Sequence, residues 1–178
     1  IVDLSAFFTE YEGLVAEVEK LVKAATAGQD VPRCGLSETT GCRRYFELQL
    51  IEAIYLSNRM NKTLTSRNRE EIIERAVDNS RTIRRLAQSP QVASAEELEA
   101  SYLRENLPCP LLRTDACLLP QFRPLSCRLY GLSGKTGPLP ETEDVLASLS
   151  LSVFLSLSGV LPGESLFRPC LADVVSCR

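Results

Sequence analysis

Prolines at 108, 110, 120, 124 and 138 interrupt every window between residues 108 and 139 that is long enough for a regular element. Each one removes a backbone donor and pushes the residue before it out of the helical region, so a long helix or an inner strand is excluded there. A compact domain rarely tolerates so long an irregular segment unless something other than backbone pairing holds it in one shape. The same segment carries Cys109, Cys117 and Cys127. Thiolates converging on a metal would be such a device, since structural zinc adds on the order of 10–16 kcal/mol to folding.

Other chemistry is scarce. The chain has no histidine, which removes every His-dependent metal site and every serine nucleophile activated by an imidazole. Its 178 residues suit one domain, residues 1–178, with a sizeable core. A net charge of −3 provides no field to gather nucleic acid or an anionic membrane. Seven cysteines, an odd number, and a start without a basic-then-apolar leader favour a reducing, cytoplasmic setting over a secreted disulfide framework. Residues 145–161 carry no charge but contain five serines and are short for a bilayer, so they read as a buried core element.

Apolar periodicity predicts a mainly α, compact helical domain of about five helices with a long irregular cysteine-bearing loop. Leu4, Phe7, Phe8, Tyr11, Leu14, Val15, Val18, Leu21 and Val22 form one helical stripe. A second helix is expected over residues 43–60, with Leu50, Ile51, Ile54, Tyr55 and Glu47 inward. A third is expected over 66–88, with Ile72, Ile73, Ala76, Val77, Ile83 and Leu86 inward. The capping box Ser94-Ala-Glu-Glu97 starts a fourth, ending near Leu107. Pro140 followed by Glu141, Glu143 and Asp144 starts a fifth. Leu and Ser alternate after it with a strand-like period, but no partner strands are evident, so a helix is expected over 145–158. The tail from Pro162 is expected to lie extended over the surface. Arginines 69, 75, 81, 84 and 85 interleave with Glu70, Glu71, Glu74 and Asp78, as on a solvated, ion-paired face. The Gly-Leu-Ser-Gly-Lys-Thr run at 131–136 lacks the first glycine and the preceding strand of a phosphate loop.

The remaining signal is the cysteines. Cys34 and Cys42 frame a seven-residue segment with glycines at 35 and 41, and Cys42 is placed just before the second helix, where the dipole would favour a thiolate. Arg43, Arg123 and Arg128 bring positive charge to the same places. Cys34, Cys42, Cys109, Cys117 and Cys127 are candidate ligands of zinc or an iron–sulfur cluster, both of which suit all-sulfur ligation, and their spacing leaves open which of them would complete a set of four. Cys170 and Cys177 are expected to be ordinary thiols.

Cys109-Pro-Leu-Leu, Asp115-Ala-Cys117-Leu and Arg123-Pro-Leu-Ser-Cys127-Arg-Leu-Tyr-Gly131 resemble the zinc- or iron-chelating CxxCxxxxCC-type (YkgJ-like) cysteine-cluster proteins of bacteria. Gly41-Cys42-Arg43-Arg44-Tyr45-Phe46 and the apolar run from Leu50 resemble that family's early motif and the helix behind it. Leu171-Ala-Asp-Val-Val-Ser176 resembles its closing segment. The likeness spans about residues 34–176 and departs where the family's adjacent cysteine pair is here Cys42-Arg43. It implies a metal-binding protein using Cys42, Cys109, Cys117 and Cys127, with Cys34 or Cys42 completing the set. A related branch is linked to lysine N-methylation, so the alternatives are an iron–sulfur enzyme acting on protein side chains and a redox sensor. The partner expected is a metal ion, with neither nucleic acid nor membrane involved.

Overall fold

The computed structural model describes residues 2–27, 34–36, 38–130, 132, 140–163 and 166–177. Part of the loop before Cys34, and all of the 131–136 motif except Leu132, lie outside them. Among the described residues the chain is mainly helical: α1 Ser5–Ala25, α2 Leu50–Thr63, α3 Ser66–Ala87, α4 Ala95–Glu105, α5 Leu125–Leu129, α6 Pro140–Ser158 and α7 Leu171–Ser176. One small antiparallel hairpin, β1 Leu112–Arg113 and β2 Ala116–Cys117, pairs Leu112 with Cys117 and Arg113 with Ala116.

The expected helices over 66–88, 94–107 and 145–158 all form. Thr65 caps α3 by accepting from the Asn68 amide, and the Ser94–Glu97 capping box starts α4. In α6 the residues Leu146, Leu149, Ser150 and Val153 are buried at helical spacing. The Leu/Ser alternation is compatible with this helix because its serines bond locally. Ser152 and Ser156 donate to the carbonyls of Ser148 and Ser152, and buried Ser150 accepts the Ile51 amide near the start of α2.

Several expectations are corrected. The second helix begins at Leu50, not residue 43. Residues Thr40–Arg43 form a 3-10 turn, and the chain then runs extended to Gln49. The extended stretch is held by the tail: the Leu48 amide donates to the Pro169 carbonyl, the Leu171 amide donates to Phe46, and Glu47, exposed rather than inward, bridges Cys170. The tail is accordingly not a surface strap, because Leu171, Ala172 and Val175 are buried, α7 packing mainly on α3. The 108–139 segment is not uniformly irregular, since it contains the hairpin, a 3-10 turn at Pro120–Phe122 and α5. Leu21, assigned to the apolar stripe of α1, is exposed.

One buried carboxylate ties these elements together. Glu52, 3% exposed, accepts the Gln49 amide at 3.1 Å as the capping box of α2, and the Leu125 amide at 2.9 Å where α5 begins. The Tyr11 hydroxyl of α1 donates to it at 3.4 Å. Glu52→Ala should therefore cost about 2–4 kcal/mol in urea denaturation, since two buried backbone amides lose their acceptor. Burial raises the Glu52 carboxyl above its ordinary 4.5, outweighing those hydrogen bonds. The folded state then holds its proton to higher pH than the unfolded chain does. Wild type should thus lose stability relative to Glu52→Gln as pH rises past 4.5. Parallel pH profiles of the two proteins would contradict this.

Candidate metal centre

Two separate pieces of chain meet at the cysteines. The first is the turn from Cys34 to Cys42. The Glu38 carboxylate accepts the Thr40 amide at 2.7 Å and the Gly41 amide at 3.3 Å, holding the 3-10 turn that carries Cys42. The second is the 109–127 segment, laid against the first by two backbone bonds: the Cys109 amide donates to the Cys42 carbonyl at 2.5 Å, and the Cys117 amide to the Gly35 carbonyl at 3.2 Å. From behind, Asn79 of α3 donates to the Pro108 carbonyl, and Arg75 to the Leu112 carbonyl.

The result brings all five candidate cysteines, Cys34, Cys42, Cys109, Cys117 and Cys127, to the wall of one cavity. Phe46, Leu111, Leu119, Pro124, Leu171 and Arg123 complete the lining. The free space is about 20 Å³, the room of one water or one ion rather than of an organic ligand. The Cys34 and Cys42 sulfurs stand 3.5 Å apart, and Cys34 also contacts Cys127. Two sulfurs receive amide hydrogens from two residues ahead: the Leu119 amide donates to Cys117 Sγ at 3.4 Å, and the Leu111 amide to Cys109. Such bonds favour the thiolate form of a sulfur. Among the described residues, no three Cys, Asp or Glu side chains already converge as a finished coordination shell. A metal would have to draw the sulfurs inward across the cavity that they share.

Two glycines permit the close approach. Gly35 has φ +72°, and a Cβ there would lie 2.9 Å from Cys117 Cβ. A Cβ on Gly41 would lie 2.8 Å from the Tyr130 ring and 3.0 Å from Cys34 Cβ. Electrostatically, the thiols resist ionisation. Contact with Cys127, with burial adding to it against the opposing bond from Cys42, pushes Cys34 up to about 12. Cys42 is raised by its bond to Cys34 and then by burial, while Cys109 and Cys117 are raised chiefly by burial. The opposing influence is Arg123, whose charge lowers Cys42 and Cys117. Its guanidinium, 4% exposed, donates to the Cys34 carbonyl at 2.6 Å and to the Pro120 carbonyl at 2.9 Å.

The helix-dipole argument for Cys42 falls, because a 3-10 turn and an extended stretch separate it from α2. Arg43 does not line the cavity; it reaches the Asn106 carbonyl instead. Cys170 is buried apart from the group, its thiol donating to Asp173 at 3.2 Å, and Cys177 is exposed. The burial of Arg123, and the exact fit of chain around Gly35 and Gly41, had no signal in the sequence beyond the residue types. No family model matches this chain, and neither a curated protein nor a solved structure matches it. No helix among the described residues is long and apolar enough to cross a membrane.

Gly35→Ala should destabilise the protein by about 1–3 kcal/mol, through its positive φ and the crowding against Cys117. Gly13→Ala, in an open position of α1, should instead stabilise it by about 0.5–1 kcal/mol. Chemical denaturation of both variants reads the contrast, and equal shifts would refute the packing described at Gly35.

Proposed function

We propose that this protein binds one metal ion through cysteine thiolates in a reducing, cytoplasmic setting, and that the ion is zinc. The ion's role is structural or regulatory, without turnover. The observation that carries this reading is the convergence of five thiols and one buried guanidinium on a single ion-sized cavity.

The donor set fits zinc on three counts. Four sulfurs bound tetrahedrally at about 2.3 Å are about 3.8 Å from one another, and the Cys34–Cys42 separation of 3.5 Å is close to that edge. In a [4Fe–4S] cluster, by contrast, each thiolate takes its own iron, which spreads the sulfurs and needs a larger hollow. Four thiolates on Zn²⁺ leave a net charge of −2, and the positive charge of Arg123 at the cavity wall offsets part of it. A cluster of plain buried thiols, packed as small hydrophobes, is the competing account.

In this role Cys34 and Cys42 on one side, and two sulfurs from among Cys109, Cys117 and Cys127 on the other, clamp the proline-rich segment to the rest of the fold. Anaerobically purified, untagged protein should contain about one zinc per chain and be colourless. Cys117→Ser and Cys127→Ser should lose metal and stability together. Arg123→Gln should weaken zinc binding about 10- to 100-fold, as loss of an outer-shell partner does. Brown protein with iron and sulfide would replace zinc by a cluster. Metal-free wild type, with unchanged melting in both serine variants, would remove the metal reading altogether.

A further inference from the structure

Five thiols face a cavity for an ion that takes four, so at least one sulfur has a use other than the first coordination shell. Their surroundings sort them. Cys109 and Cys117 are each tethered by an amide from two residues ahead. Cys127 lies on α5, which is pinned at its start by Glu52 and along its length by Arg128, a side chain that bonds the Arg123 and Gln121 carbonyls and Glu19. Cys34 and Cys42 lie instead on one short turn with glycines just inside both ends, and their sulfurs already touch at 3.5 Å.

We propose that Cys34 and Cys42 are the oxidisable pair of this protein, a modification site at which hydrogen peroxide forms one disulfide. A disulfide sulfur–sulfur bond is about 2.0 Å long, so the pair, now 3.5 Å apart, must close by about 1.5 Å. Peroxide is little larger than the water for which the cavity has room. It converts one thiol to a sulfenic acid with release of water. The second sulfur then attacks that sulfur and displaces another water, so two thiols and one peroxide give one disulfide and two waters. If zinc is bound through both sulfurs of the pair, as proposed above, the two thiolates become a disulfide, two protons from solvent complete the waters, and the ion keeps two of its four thiolates with one uncoordinated thiol beside them, too few to close a tetrahedral site. The ion is then released.

The test uses the full chain with Cys177→Ser, which removes the exposed thiol, treated with graded peroxide and digested with trypsin without reduction. Cys34 and Cys42 fall in one tryptic peptide, residues 34–43, which becomes lighter by two hydrogens when the disulfide forms. That peptide should change before any cross-link to Cys109, Cys117 or Cys127 appears, and dithiothreitol should reverse it. Zinc, followed with a chromogenic chelator, should leave in step with the mass change. A first cross-link from Cys34 to Cys127, or sulfinic acid at Cys34 or Cys42 without a disulfide, would overturn the pairing. A disulfide formed with zinc retained would overturn the release. Protein that holds no zinc at the outset refutes the metal reading instead, while the peptide mass still decides the pairing.

Discussion

The proline-rich segment keeps one shape because arginine side chains answer the carbonyls that its prolines leave without amide partners. Arg123 bonds the carbonyls of Cys34 and Pro120; Arg128 bonds those of Gln121 and Arg123 and pairs with Glu19 of α1 at 2.6 Å. Both guanidinium groups are buried. A guanidinium presents five donors in a rigid plane, so two of them can replace the pairing that a strand or helix would have supplied. The first of these bonds crosses from the segment to the Cys34 turn, and so joins the two halves of the thiol cavity alongside the backbone bonds from Cys109 to Cys42 and from Cys117 to Gly35.

Glu52 does the corresponding work for the core. Burying a carboxylate is costly unless several donors reach it, and here three elements supply them: the start of α2, the start of α5 and Tyr11 on α1. The α5 helix has only five residues and could not persist on its own. Its amide bond to Glu52 and the burial of Leu125 hold it in place, and Cys127 is held with it. The position of one cavity sulfur thus depends on a buried carboxyl group in the packed core, outside the cavity lining.

Helices were legible where an apolar stripe or a cap stood out. Residues 66–87 carry a stripe and 95–105 begin at a capping box, so their existence could be read directly. The start of α2 was misplaced because Arg43 to Gln49 contains nothing that forbids a helix. What decides it is the extended pairing with Pro169 and Leu171, more than a hundred residues away, which no local pattern encodes. The tail was misjudged for the same reason: α7 is a six-residue helix that is stable only through the faces of α2 and α3 against which it packs. For the cysteines, their grouping along the chain and the family resemblance nominated five positions and left open which of Cys34 and Cys42 belonged. Both line the cavity, because Gly35 and Gly41 let the turn press against Cys117 and Tyr130.

The thiol group is stable without a metal only as a patch of small apolar side chains, packed with Leu112, Phe46 and Tyr130. In that state mutual contact and burial keep the sulfurs protonated. A divalent cation, were it bound there as proposed, would invert this preference, because its charge would outweigh the desolvation that holds the thiols neutral. Arg123 lowers the remaining cost at Cys42 and Cys117, one sulfur from each half of the cavity. A metal held across these two pieces of chain would therefore act where the backbone contributes only two hydrogen bonds, from Cys109 to Cys42 and from Cys117 to Gly35. Loss of the Cys34–Cys42 side to a disulfide would leave the other three sulfurs attached to one piece alone, so the same chemistry that releases the ion would also undo the clamp.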